Sequence, residues 1–204
     1  MRMENCGEGN NGREVCEDRV NEIINKIFRD AKGIKRDKSN IFYLYLYNPC
    51  YGGANPYFDE KSKLILDVKN REQEAIHYFT GKLMDCLSET FEFTVCVMPS
   101  SRKGTRPSGI RTIAGSLCCS RIIDGTDCIL RTENVPKKHL GGKRDVEAEI
   151  GSLCVRNENK IRSKTILLLD DVTTSGATFE AGTYLLKKAG AGDVIALALS
   201  KTII

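Results

Sequence analysis

The run Thr165-Ile166-Leu167-Leu168-Leu169-Asp170-Asp171-Val172-Thr173-Thr174-Ser175-Gly176-Ala177-Thr178 is an apolar segment of strand character that ends in two carboxylates. It then passes through a loop of small hydroxyl residues and glycine and opens a helix at Thr178 or Phe179. A loop of Thr, Ser, Gly and Ala lets backbone N–H groups converge on one anion, and the helix N-terminus behind them adds its positive end. The hydroxyls of Thr173, Thr174, Ser175 and Thr178 are further donors, and Gly176 and Ala177 complete the loop. Asp170 and Asp171, at the strand's carboxyl end, are acceptors suited to vicinal sugar hydroxyls or to waters around a magnesium ion. The stretch offers a phosphate cradle beside a diol clamp. A buried strand with an ordinary N-capped helix would leave the adjacent carboxylates unexplained.

Upstream, Phe93-Thr94-Val95-Cys96-Val97-Met98 reads as another strand, ending at Pro99-Ser100-Ser101-Arg102-Lys103-Gly104. Small residues at a strand's carboxyl end, followed by two cations, suit a second anion. Ser100, Ser101 and Arg102 are the leading candidates, with Lys103 and Arg106 behind them; a solvated basic turn is the plainer alternative. Ile110, Ile113, Ala114, Leu117 and Cys118 recur at helical spacing and residues 127–131 give a short strand, the strand, helix, strand rhythm of a parallel sheet. Residues 132–144 make a long connection, cationic and glycine-containing, in which Lys137, Lys138, Lys143 and Arg144 are either a basic lid or a solvated charge run. Beyond the quoted run, Phe179, Gly182, Leu185, Leu186 and Ala189 line one side of a helix stopped by Gly190 and Gly192, and residues 194–199 form a last buried strand.

Toward the amino end, residues 1–12 are polar and rich in Gly and Asn. Cys16, Val20, Ile23, Ile24, Ile27 and Phe28 then mark an amphipathic helix over residues 13–31, which either packs on the main domain or binds a protein partner. The expected organisation is a tail and helix over residues 1–40 and an α/β domain over residues 41–204. Residues 41–47 are apolar and aromatic, a strand by length and content; Tyr43, Tyr45, Tyr47 and Tyr51 are open to reading as a strand face or as a base-stacking surface. Residues 62–69 fit a short strand or a helix start, and Ala75, Ile76, Phe79, Leu83, Cys86 and Leu87 give clear helical spacing.

With 204 residues, 41% hydrophobic and 28% charged, the chain has the composition of one soluble α/β domain with a modest extension. No apolar run approaches a membrane span, and the polar start is unlike a secretory signal, so the expected location is the cytoplasm. The nine cysteines contain no Cys-x-x-Cys pair; Cys86, Cys96, Cys118 and Cys128 read as small core hydrophobes rather than zinc ligands or disulfides. His77 has no ligand-spaced partner. The charge of +4 favours phosphorylated ligands without itself indicating nucleic acid.

The whole pattern from Thr165 to Thr178 closely resembles the phosphoribosyl-pyrophosphate (PRPP) signature of type I phosphoribosyltransferases. The resemblance implies that family's fold, about five mostly parallel strands flanked by helices, here with an N-terminal helical extension. It implies that Asp170 and Asp171 take the ribose hydroxyls and hold magnesium through water, while Thr173, Thr174, Ser175, Gly176, Ala177 and Thr178 wrap the 5′-phosphate. The loop after Met98 matches the family's pyrophosphate loop in position and composition, giving Ser100, Ser101 and Arg102 that role. Residues 132–144 match its flexible loop, which closes over the substrate.

The implied reaction is transfer of 5-phosphoribosyl from PRPP to a nitrogen nucleophile, a base or amine, with release of pyrophosphate. In the branch acting on 6-oxopurines an acidic residue of the signature loop serves as base; Thr174 stands there, which argues against a hypoxanthine or guanine enzyme. Lys138 or His139 of the mobile connection would then handle the proton. Arg131, Pro136, Leu140 and Arg144, leading into the signature, resemble the competence protein F branch, associated with uptake of single-stranded DNA, though that branch's cysteine-rich finger is absent. The alternatives are therefore a catalytically silent PRPP-fold regulator or single-stranded-DNA partner, and a helper that binds protein through its N-terminal helix. A homodimer is compatible with each.

Overall fold

The computed structural model describes residues 10–135 and 146–203. In chain order the elements are α1 (Asn10–Ile27), β1 (Lys35–Arg36), β2 (Phe42–Tyr47), α2 (Glu60–Asn70), α3 (Gln73–Cys86), β3 (Phe93–Val97), α4 (Gly109–Leu117), β4 (Ile122–Gly125), β5 (Ile129–Arg131), α5 (Val146–Gly151), β6 (Leu153–Val155), β7 (Thr165–Thr173), α6 (Ala177–Lys188) and β8 (Asp193–Thr202). Short 3-10 turns lie at Tyr51–Gly53 and Glu158–Lys160. The main sheet has six strands in the order β1-β2-β8-β7-β3-β4. Every pairing from β2 to β4 is parallel, and only β1, on the edge, runs antiparallel. The chain is mixed α/β with a mostly parallel central sheet flanked by helices.

The sequence explains why β7 is central. Ile166 to Leu169 are each 0% exposed, the continuous apolar run of a parallel strand covered on both faces. Alternation sends Leu167 and Leu169 into a core with Ile65, Val68, Phe79 and Ile113 of α2, α3 and α4, and Ile166 and Leu168 into a core with Phe179, Ala181 and Leu186 of α6. Burying each such leucine or isoleucine contributes about 1.5–3 kcal/mol. The amphipathic helix joins the first core through Ile23, Ile24, Ile27 and Phe28. Residues 62–69 belong to a helix: Asp59 caps α2 by accepting from the Ser62 N–H at 2.7 Å, and Ile65 and Val68 supply its buried stripe. Phe42, Leu44, Tyr45 and Tyr47 all meet the first core and Tyr43 packs against the second, so the tyrosines do not form one alternating face.

One expectation is corrected. The strand that follows α4 in the main sheet is β4, whereas residues 127–131 leave it, with β5 pairing antiparallel with β6 as a separate two-stranded sheet. The cause is a turn. The Thr126 N–H donates to Asp124 Oδ1 at 2.9 Å and the Cys128 N–H to the Gly125 carbonyl at 2.9 Å, lifting the chain off the sheet edge.

The entry into α4 is set by close backbone approach. A Cβ at Gly109 would lie 2.0 Å from the Val68 carbonyl oxygen of α2, whereas one at Gly115, later in the same helix, would meet nothing within 4 Å. Gly109→Ala should therefore destabilise the fold by about 1–3 kcal/mol or more. Gly115→Ala should be neutral or stabilising by about 0.5–1 kcal/mol. Urea unfolding of the two variants checks the contrast, and equal effects would contradict the packing described.

Candidate functional site

Parallel strands deliver their carboxyl ends to one edge, and the register fixes which loops meet there. Val97 of β3 stands opposite Leu169 of β7, and the Met98 N–H donates to the Leu169 carbonyl at 2.9 Å. Continued by one and two residues, that register sets Met98 and Pro99 beside Asp170 and Asp171, one strand spacing away, about 4.8 Å, and the loop opens at Ser100. The two candidate anion loops are neighbours. Ser100 and Arg102 are exposed and Ser101 is half-buried.

The loop after β3 is tied down by the β5 region. The Gly104 N–H donates to the Arg131 carbonyl at 2.9 Å, the Val135 N–H to the Ser101 carbonyl at 2.8 Å, and the Lys103 N–H to Asn134 Oδ1 at 2.8 Å. Arg131 Nε donates to the Ser100 carbonyl at 3.2 Å. Arg131, Glu149 and Ser152 are buried together, a group that sequence reading did not assign to the site. No local signal reveals it, because its burial depends on β5 meeting β6.

Thr173, the last residue of β7, is buried, and beyond it Thr174 shares a 2.9 Å hydroxyl hydrogen bond with Thr202 at the end of β8. Ser175 is exposed, and its Oγ accepts from the Ala177 N–H at 3.5 Å. Helix α6 opens at Ala177, one or two residues earlier than expected, because Gly176 at φ 84° takes the turn into it. A side chain at Gly176 would be strained and would also meet Ile41 Cδ1 at 2.6 Å. Thr178 lies half-buried in the first turn.

The carboxylates differ in their surroundings. Asp170 Oδ1 accepts from the Asp171 N–H at 2.9 Å. Asp171 meets α2, its Oδ1 3.8 Å from Lys69 Nζ, and that ammonium also lies 5.3 Å from the centre of the Tyr47 ring. Burial pushes the Asp171 carboxyl up from its ordinary range, with Lys69 and the Val172 N–H acting against that. About a quarter of its side chain (26%) remains open. Lys201, opposite Thr173, is paired with Asp37. Burial works against the Asp37 charge, yet Lys201 and the N–H groups of Ile41 and Ser39 hold that carboxyl below the usual range.

Lys138 and His139, with Lys137, Lys143, Arg144 and most of the connection proposed as a lid, lie outside the described residues. Among the described residues one cleft lies at the amino edge and another lies against Lys103 and Gly104, at the far end of the β3 loop. The first, of about 520 Å³ between α1 and Asp193, holds charges already matched, with Arg19 bonded to Asp193 at 3.1 Å. The other, about 400 Å³, lies beside Gly104, Arg131 and Arg156. The carboxyl edge is the better candidate, since open parallel sheets bind ligands outside the carboxyl ends of their strands. Among the described residues no three His, Cys, Asp or Glu side chains gather as a metal cage, and no helix is long and apolar enough to cross a membrane. Magnesium usually takes only one or two protein carboxylates, with water and substrate phosphates completing its shell, and Asp170 and Asp171 are hard oxygen donors of that kind.

The Asp171 environment has a consequence for stability. Its folded carboxyl titrates above the unfolded value near 3.9, so its contribution is most favourable below about pH 4 and is lost as pH rises through the raised folded value. Asp171→Asn should therefore raise the melting temperature at pH 7, and the gain should shrink toward zero as pH falls to about 4. Thermal melts across that range check this, and a pH-independent difference would contradict it.

No family model matches the chain, and a search of curated proteins gives no significant match. The functional reading rests on the chemistry of the carboxyl edge.

Proposed function

We propose that the chain is a type I phosphoribosyltransferase-like protein that binds PRPP with magnesium and transfers the 5-phosphoribosyl group to a nitrogen nucleophile, releasing pyrophosphate. The observation that carries this reading is the register of β3 against β7, which sets two small-residue loops, each suited to an anion, side by side at the carboxyl edge. One substrate with a phosphate at one end, a pyrophosphate at the other and a diol between them matches that arrangement.

In this reading the loop from Thr173 to Thr178 holds the 5′-phosphate with backbone N–H groups, hydroxyls and the α6 N-terminus. Ser100, Ser101 and Arg102 hold the pyrophosphate. Charge builds on the leaving pyrophosphate as the sugar becomes cationic, so Arg102 stabilises the transition state more than the ground state. Asp170 and Asp171 orient the ribose hydroxyls and hold magnesium through water; the ion supplies positive charge to the pyrophosphate oxygens. Lys138 or His139 remains the proposed acid or base, and the acceptor is a base or amine other than hypoxanthine or guanine. One observation favours a second reading, a catalytically silent PRPP-binding regulator: Asp171 is already engaged by Lys69 and its burial disfavours the charge that a diol clamp uses.

PRPP with magnesium should raise the melting temperature of the wild-type chain, and one member of a panel of bases and amines should release pyrophosphate. Stabilisation without release for any acceptor would select the silent regulator. Asp170→Asn combined with Asp171→Asn should remove PRPP binding while circular dichroism stays unchanged; retained affinity would count against the site.

A further inference from the structure

Arg131 closes β5 and is 2% exposed, among the largest fully buried side chains of the chain. A guanidinium removed from water persists where its donors are met by matched acceptors. These run in two directions. Nη1 donates to Glu149 Oε2 at 2.8 Å and to Ser152 Oγ at 2.5 Å, and both partners are themselves buried. Ser152 Oγ in turn donates to the Glu149 carbonyl at 2.9 Å. Nε turns the other way, to the Ser100 carbonyl at 3.2 Å.

The same residue also holds the far end of that loop, where the Gly104 N–H donates to the Arg131 carbonyl at 2.9 Å. Both ends of the segment carrying Ser101 and Arg102 are thus fastened to one residue, and that residue is fastened to α5 and β6. Orientation follows from peptide geometry. The bond between Ser100 and Ser101 is trans, so its C=O and N–H point in opposite directions. With the carbonyl held by Arg131, the Ser101 N–H is turned away from the buried group.

We propose that Arg131, fixed by Glu149 and Ser152, is a positioning residue that orients the Ser100–Ser101 peptide of the β3 loop to receive the pyrophosphate of PRPP. This rests on the phosphoribosyl reading of the site and assigns a role within it. The buried group does not touch the ligand. It fixes a loop of small residues that would otherwise lose entropy on closing around an anion, which is how a supporting shell improves affinity.

The test compares PRPP with ribose 5-phosphate, which keeps the phosphate and diol and lacks the pyrophosphate. Binding of each is measured by calorimetry with magnesium for wild type, for Arg131→Lys, and for Arg131→Met combined with Glu149→Leu. The lysine variant keeps a charge beside Glu149 and lacks the Nε donor; the apolar pair removes both members of the buried Arg131–Glu149 ion pair together. PRPP affinity should fall on the order of tenfold or more in both, the scale of one lost charge-assisted hydrogen bond. Ribose 5-phosphate affinity should stay at the wild-type value. Equal losses for both ligands, or no loss for either, would overturn the positioning role while leaving the phosphoribosyl reading in place. A wild-type chain that binds neither ligand would overturn that reading and the positioning role together.

Discussion

Parallel pairing of β3 with β7 is the constraint on which the site depends. Residues 94–97 of β3 run beside residues 166–169 of β7, and the pairing continues through the Met98 N–H, so the β3 chain cannot diverge until it reaches Pro99. The strands are buried on both faces, and slipping by one residue would turn every apolar side chain of β7 to the opposite core. Core packing therefore fixes the register, and the register fixes which loops meet. The meeting of the β3 loop with the Asp170–Asp171 end of β7 is a consequence of where leucines and isoleucines must point.

The polar groups around that edge act against the logic of stability. Burial disfavours the charged form of Asp171 against the pull of Lys69, and Arg131 is held in the interior where an apolar side chain would serve folding as well. Such departures concentrate where a fold does chemistry, because binding needs polar groups fixed before the ligand arrives. Arg131 and Glu149 belong to the small β5–β6 layer and its preceding helix, and the loop they restrain belongs to the main sheet. The smaller layer thereby contributes to the geometry of the larger one.

Features written within a few residues were legible in the sequence. The apolar run of β7, the two carboxylates, the hydroxyl loop and the start of α6 are local; the boundaries shifted by one or two residues, with β7 running on through Thr173 and α6 opening at Ala177. The small residues and cations after Met98 were equally local. Features that depend on distant segments meeting were not legible. Ile122 and Ile123 are too short an apolar stretch to signal β4, and the turn at Asp124 to Thr126 that removes β5 from the sheet reads as an ordinary loop. The burial of Arg131 depends on β6 pairing with β5, and the two adjacent aspartates look alike until α2 brings Lys69 to 3.8 Å from Asp171.

The most direct test of the central claim, that the carboxyl edge of β3 and β7 is the binding site, is the map of backbone amide shifts when PRPP and magnesium are added to the isotope-labelled chain. The account predicts that the largest changes fall on Ser100 to Arg102 and on Thr173 to Thr178 together, at the same ligand concentration. Changes centred instead on Arg19, Lys26 and Asp193 at the amino edge, or confined to one loop with the other unmoved, would contradict it.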